Sequence, residues 1–201
     1  MINNLSRRYF IGVSAAFSGV IAGPGMVFAL TDQSAKNLVD RVVGDINKVI
    51  ASGRSVSGMI GDFERIFARY ADVNIIARST LGPDSRRLSP AQMRAFIDAF
   101  RGYIARKYGK RFNEFVGGKI EVKGVRQVKS WHEVESTVYL RGESPFQVLF
   151  LVSDRSGKDL FFDMVIEGVS LRLSERTEIG AMLDRRRGDI DALIQDLRSA
   201  G

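Results

Sequence analysis

Beyond residue 31 the apolar positions recur first at helical spacing and later at strand spacing. Leu38, Val42, Val43, Ile46, Val49 and Ile50 return every three or four positions, which predicts a helix over 32–53, capped by Thr31 or Asp32 and closed by Gly53. Met59, Ile60, Phe63, Ile66, Phe67 and Tyr70 predict a second helix over about 55–70. A third, short helix runs from Asp72 until Gly82-Pro83 stops it. The clearest helical stretch is "LSPAQMRAFIDAFRGYIARKYGKRFNEFVG", residues 88–117, with Ser89 as N-cap and Pro90 at the first helical position. Its stripe of Met93, Phe96, Ile97, Phe100, Tyr103, Ile104, Tyr108, Phe112 and Phe115 is rich in aromatic rings and needs a large apolar partner surface.

After Gly117-Gly118 the period changes. Four segments (119–129, 131–142, 144–153 and 158–168) are rich in Val, Ile, Phe and Tyr, and short Gly, Ser and Asp turns separate them, so they read as strands. Alternation places Val134, Ser136, Val138 and Leu140 on one face of the second strand. It does the same for Phe146, Val148, Phe150 and Val152 on the third, and for Leu160, Phe162, Met164 and Ile166 on the fourth. A last helix follows over about 175–199, with Gly188 as a candidate interruption. Helices, a strand meander and a closing helix make an α+β class: about four antiparallel strands packed with about five helices in one domain over 30–201.

The first 29 residues follow different rules. Arg7 and Arg8 precede "YFIGVSAAFSGVIAGPGMVFAL", residues 9–30, which carries no charge. A cationic start, an apolar run and a small residue at Ala29 predict a secretory signal over 1–29 that is cleaved on export. Ser6-Arg7-Arg8 followed by Phe10-Ile11 looks like a twin-arginine export signal, and the many glycines keep the run only modestly hydrophobic. The run is long enough to span a bilayer, but Pro24 among glycines and the lack of a following basic cluster argue against an anchor. The expected address is therefore the periplasm. With no cysteine in the chain, disulfides and thiolate chemistry are excluded. Removing residues 1–29 lowers the net charge from +7 to about +5. Nucleic acid is not the expected partner of an exported protein with interspersed charges; anionic lipid surfaces suit it better.

Candidates for catalysis are few. The single histidine, His132, argues against most metal and acid–base designs and reads as surface or structural. Residues 168–172, "GVSLR", lack the second glycine of a nucleophile elbow, and no phosphate-binding glycine loop is present. Asp163 and Glu167 sit about 13 Å apart along one strand face, too far to act on one bond, and read as a solvated outer face. Arg185, Arg186 and Arg187 read as a solvated helical face with a possible docking role for acidic groups.

Four segments, "FERIFARYADVNIIARSTLG" (63–82), "RAFIDAFRGYIARKYGKRF" (94–112), "DMVIEGVSLRLSERTEIGAML" (163–183) and "IDALIQDLR" (190–198), together resemble the MlaC (toluene-tolerance) family of periplasmic phospholipid-binding proteins. One departure is visible: the family usually has an aromatic residue before Arg176, where this chain has Glu175. The resemblance implies a cone-shaped, nuclear-transport-factor-2-like sheet closed by helices around a hydrophobic cavity. It implies phospholipid as cargo, no cofactor, no enzymatic activity, and passage between an outer-membrane lipoprotein and porin complex and an inner-membrane ABC-type complex. A monomer suffices for this. Burying two chains of about fifteen methylenes at ~0.8 kcal/mol each calls for a cavity near ~1,000 Å³ or above.

Facing then selects the expected lipid-binding residues. They are Ile75, Ile76, Phe96, Phe100, Tyr103 and Ile104 on the helices, and Val138, Leu140, Phe146, Val148, Phe150, Phe162, Met164 and Ile166 on the strands. Three other readings stay open: an enzyme using the same fold class, which needs an ionisable group on an inward face; an envelope adaptor with a filled core; and a binder of a smaller apolar ligand.

Overall fold

The computed structural model describes residues 30–201. The expected export signal lies outside the described residues. Six α-helices and five strands follow in the order α1 (Asp32–Ala51), α2 (Val56–Tyr70), α3 (Val73–Leu81), α4 (Pro90–Gly109), β1 (Lys119–Val128), β2 (Trp131–Tyr139), β3 (Phe146–Ser153), β4 (Leu160–Ile166), β5 (Val169–Ser170), α5 (Leu171–Arg185) and α6 (Ile190–Ser199). Two 3-10 segments, Gly82–Arg86 and Lys110–Phe115, extend α3 and α4. The α+β class is as expected. The helix anticipated over 88–117 tightens into a 3-10 turn after Gly109, and the two-residue β5 adds a fifth strand.

Local chemistry sets most boundaries. Thr31 caps α1 through a reciprocal box with Ser34. Ser89 and Gln92 do the same for α4, with Pro90 in the first turn. The anticipated last helix is two: Arg187 (φ 55°) and Gly188 (φ 82°) turn left-handed in succession and end α5. The Arg185–Arg187 run therefore lies at a helix break, not in mid-helix, and Arg186 grips Asp196 of α6 with two 2.7 Å hydrogen bonds.

The sheet is a pure antiparallel meander, β1-β2-β3-β4-β5. Irregularities between Val122 and Gly124, and opposite Leu151/Val152, bend it. The second changes the facing on β4. Leu151 pairs with Asp163 but Val152 pairs with Phe161, so Phe162 is the extra residue. Phe161, buried and edge-on to Phe150 at 5.7 Å, is the ring on the core side, whereas Leu160 pairs with Ser153. The strict alternation expected from Leu160 to Ile166 thus breaks at the bulge.

Both sheet edges are occupied. The Asn47 side chain of α1 accepts from Ile120 N and donates to Ile120 O, both at 3.1 Å, as a neighbouring strand would. On the far side β5 pairs with Val165 and Ile166, and Asp72 N donates to Phe161 O at 2.8 Å.

Helix α1 packs on β1 to β3, α3 and α5 meet β4, and α4 packs on α2, α3 and α6. The α2–α4 crossing is close at Gly109, where a Cβ would lie 2.8 Å from Ile60 Cα. Gly109→Ala is expected to lower stability by about 1–3 kcal/mol, because the obstacle is backbone. A urea unfolding midpoint equal to wild type would show that the crossing relaxes freely.

Candidate functional site

The bent sheet and the helices enclose a predominantly apolar cavity of about 410 Å³. The floor consists of Val138, Leu140, Phe146, Val148, Phe150, Phe161, Met164 and Ile166 from β2 to β4 and their flanks. The roof consists of Val42 and Ile46 of α1, Phe63, Ile66 and Phe67 of α2, Ile76 of α3, and Ile104 and Tyr108 of α4, with Phe112 and Phe115 just beyond. Aromatic rings meet across it, Phe63 and Phe112 edge-on at 5.2 Å. These rings take up space, and the cavity is smaller than the ~1,000 Å³ the size argument anticipated.

Polarity is concentrated at one end. Leu140, Phe146 and Ile166 end their strands on the side where the β2–β3 loop and the β4–β5 turn lie, and there the lining includes the exposed Arg111, Glu114, Glu143 and Glu167. That end is the mouth. At the opposite end His132 is buried, with Nε2 3.2 Å from Asp32 Oδ1 and outside the cavity lining. It shares the inward face with Val134 and Ser136 and serves the core.

Ten of the fourteen residues singled out by facing line this cavity: Ile76, Ile104, Val138, Leu140, Phe146, Val148, Phe150, Phe162, Met164 and Ile166. Phe162 does so from the bulge, with its ring edge-on to Trp131 at 6.4 Å. The other four do not line it. Ile75 is half-buried beside Ile76, its side chain turned about 100° from it around the helix. Phe96, Phe100 and Tyr103 are fully buried where α4 meets other helices, so the N-terminal two-thirds of the aromatic stripe is helix–helix core. Sequence facing missed Val42, Ile46, Phe63, Ile66, Phe67 and Phe161; the first five sat in recognised apolar stripes but carried no sign of which helix would cover the sheet.

Two buried charged residues also belong to the lining. Asp163 is not part of a solvated face. It is buried, accepts from Met164 N at 2.8 Å, Arg172 N at 3.0 Å and Ser170 Oγ at 2.6 Å, and lies 3.5 Å from Arg172 Nε. It thereby ties the start of α5 to β4. Glu175, one turn on, is buried as well; its Oε1 accepts from Lys107 Nζ at 2.7 Å and from the Tyr108 hydroxyl. Lys107 also pairs with Glu178. Burial first, and the Glu175 hydrogen bond second, push the Tyr108 phenol well above its ordinary range, so it stays a donor. Burial opposes the Lys107 charge, but the hydrogen bonds to Glu175 and Glu178 outweigh it and raise its pKa. Lys107 in turn lowers Glu178, despite some burial.

Among the described residues no group of three or more His, Cys, Asp or Glu is placed to hold a metal ion, and no helix is long and apolar enough to cross a membrane. A family model described as MlaC protein matches residues 36–199. In shape the chain is similar to a solved phospholipid-binding protein from Ralstonia solanacearum in complex with a phospholipid. The TM-score is 0.70 and the identity 20%, over 82% of this chain and 95% of that one.

Proposed function

The chain belongs to the MlaC family, and from that premise we propose that it is a periplasmic phospholipid carrier, passing lipid between an outer-membrane complex and an inner-membrane ABC-type complex. The observation that carries this reading is the predominantly apolar cavity under the helices, with its exposed charged residues at one mouth. The similarly folded protein described as complexed with a phospholipid supports the class of cargo. The uncharged run behind Arg7-Arg8 supports export, with residues 1–29 removed and 30–201 working as one unit.

Two acyl chains left in water would cost at most about 24 kcal/mol, so a carrier needs a dry enclosure and a way to open it. About 410 Å³ lies low in the usual ligand-pocket range. Taking in two chains requires the roof rings to rotate or the helices to move off the sheet. Transfer is then a matter of differential affinity between conformations, with no bond made or broken.

The test is to purify the protein from a bacterial periplasm without detergent and weigh it by native mass spectrometry. A stoichiometric phospholipid that is released on denaturation is the expected result. A lipid-free mass with no uptake from vesicles would instead favour an adaptor with a filled core.

A further inference from the structure

Two polar atoms in the cavity wall are buried and lack hydrogen-bond partners: Arg172 Nε and Glu175 Oε2. Both belong to α5, three residues apart, so their side chains leave adjacent turns with Cβ atoms about 5–6 Å apart. One is a cationic donor and the other an anionic acceptor. The Glu175 side chain is 3% exposed, and both its protein donors, Lys107 and Tyr108, go to Oε1. Asp163 faces Arg172 Nε at 3.5 Å without forming a hydrogen bond to it, while Arg172 itself remains 28% exposed.

We propose that Arg172 and Glu175 form a clamp for a zwitterionic phosphoethanolamine headgroup, Arg172 donating to the phosphate and Glu175 Oε2 accepting from the ammonium. The proposal rests on the carrier reading above and names the cargo of that same cavity. A buried carboxylate oxygen left without a donor is costly, and an ammonium N–H removes that cost. The two-carbon spacer of phosphoethanolamine separates its charges on the scale of one helical turn. A choline headgroup carries its charge without an N–H and cannot satisfy Oε2. Phosphatidylglycerol offers hydroxyl donors but no cation, and the group of Glu175, Glu178 and Lys107 already holds two carboxylates against one ammonium.

The experiment is a competition. The purified protein is delipidated and exposed to vesicles containing phosphatidylethanolamine, phosphatidylcholine and phosphatidylglycerol in equal parts with identical acyl chains, and the bound lipid is quantified by mass spectrometry. About a tenfold preference for phosphatidylethanolamine over phosphatidylcholine is expected, as for one hydrogen bond to a charged group. Glu175→Gln is expected to reduce that preference several-fold. Equal uptake of all three lipids, or an unchanged preference in Glu175→Gln, overturns the clamp and leaves the carrier reading standing. Phosphatidylglycerol bound at least as well as phosphatidylethanolamine overturns the ammonium assignment. No uptake of any lipid overturns the carrier reading itself. The wild-type competition decides the matter even where Glu175→Gln does not fold.

Discussion

Val148→Glu is expected to lower phospholipid retention at least tenfold while leaving the protein folded. Val148 sits in β3 between Ser136 on β2 and Ile166 on β4, is buried, and forms part of the cavity floor. A carboxylate there meets acyl chains if the cavity is filled with lipid, and several kcal/mol of desolvation then oppose loading. In the lipid-free protein the same group has cavity space in front of it, so water can hydrate it and the cost to stability is smaller, about 1–3 kcal/mol. The asymmetry between the two costs is what separates a cavity wall from a packed core. Native mass spectrometry reads the lipid, and circular dichroism with urea unfolding reads the fold. Val148→Leu should retain wild-type lipid. Full lipid occupancy in a folded Val148→Glu protein would place the cargo elsewhere.

Asp163→Ala should lower stability by about 3–5 kcal/mol, in the range for breaking a buried ion pair. The change strips an acceptor from two backbone N–H groups and the Ser170 hydroxyl, and leaves the Arg172 guanidinium without its carboxylate. Asp163→Asn keeps one acceptor oxygen and should cost less. Urea unfolding monitored by far-ultraviolet circular dichroism measures both. A loss below 1 kcal/mol for the alanine variant would mean that α5 is held by its packing alone.

Asp163 also shows where sequence reading runs out. Its strand position was legible, but its burial depends on a bulge at Phe162 and on the start of α5 folding back over β4, neither of which leaves a local mark. The start of α5 at Leu171 was missed for the same reason, since Leu171, Arg172 and Leu173 offer no apolar stripe and part of the anchor is a carboxylate from another element. Where the determinants are local, the reading succeeded: Ser89-Pro90 opens α4, and alternation from Val134 to Val138 identifies the inward face of β2. For the cavity, the strands were more legible than the helices. A strand has two faces and one of them must be the floor, whereas α4 carries apolar residues toward three helices as well as toward the cavity. Phe96, Phe100 and Tyr103 were therefore assigned to the wrong neighbour from a correct helix.

The occupied sheet edges bear on how the molecule coexists with its own copies. An open meander displays a row of unpaired N–H and C=O groups on each outer strand, and such rows template strand exchange and fibril growth. Here the Asn47 carboxamide takes up the free backbone of Ile120, and β1 alternates Lys119, Glu121 and Lys123 in mutual ion pairs. The other margin is shared by Val169–Ser170 and by the Ala71–Asp72 backbone. A protein whose work requires its helices to lift repeatedly from its sheet would expose strands to its neighbours each time it opened. The charges of Lys119, Glu121 and Lys123 belong to the strand itself, so they stay on that margin when a helix lifts and continue to oppose pairing with a second chain.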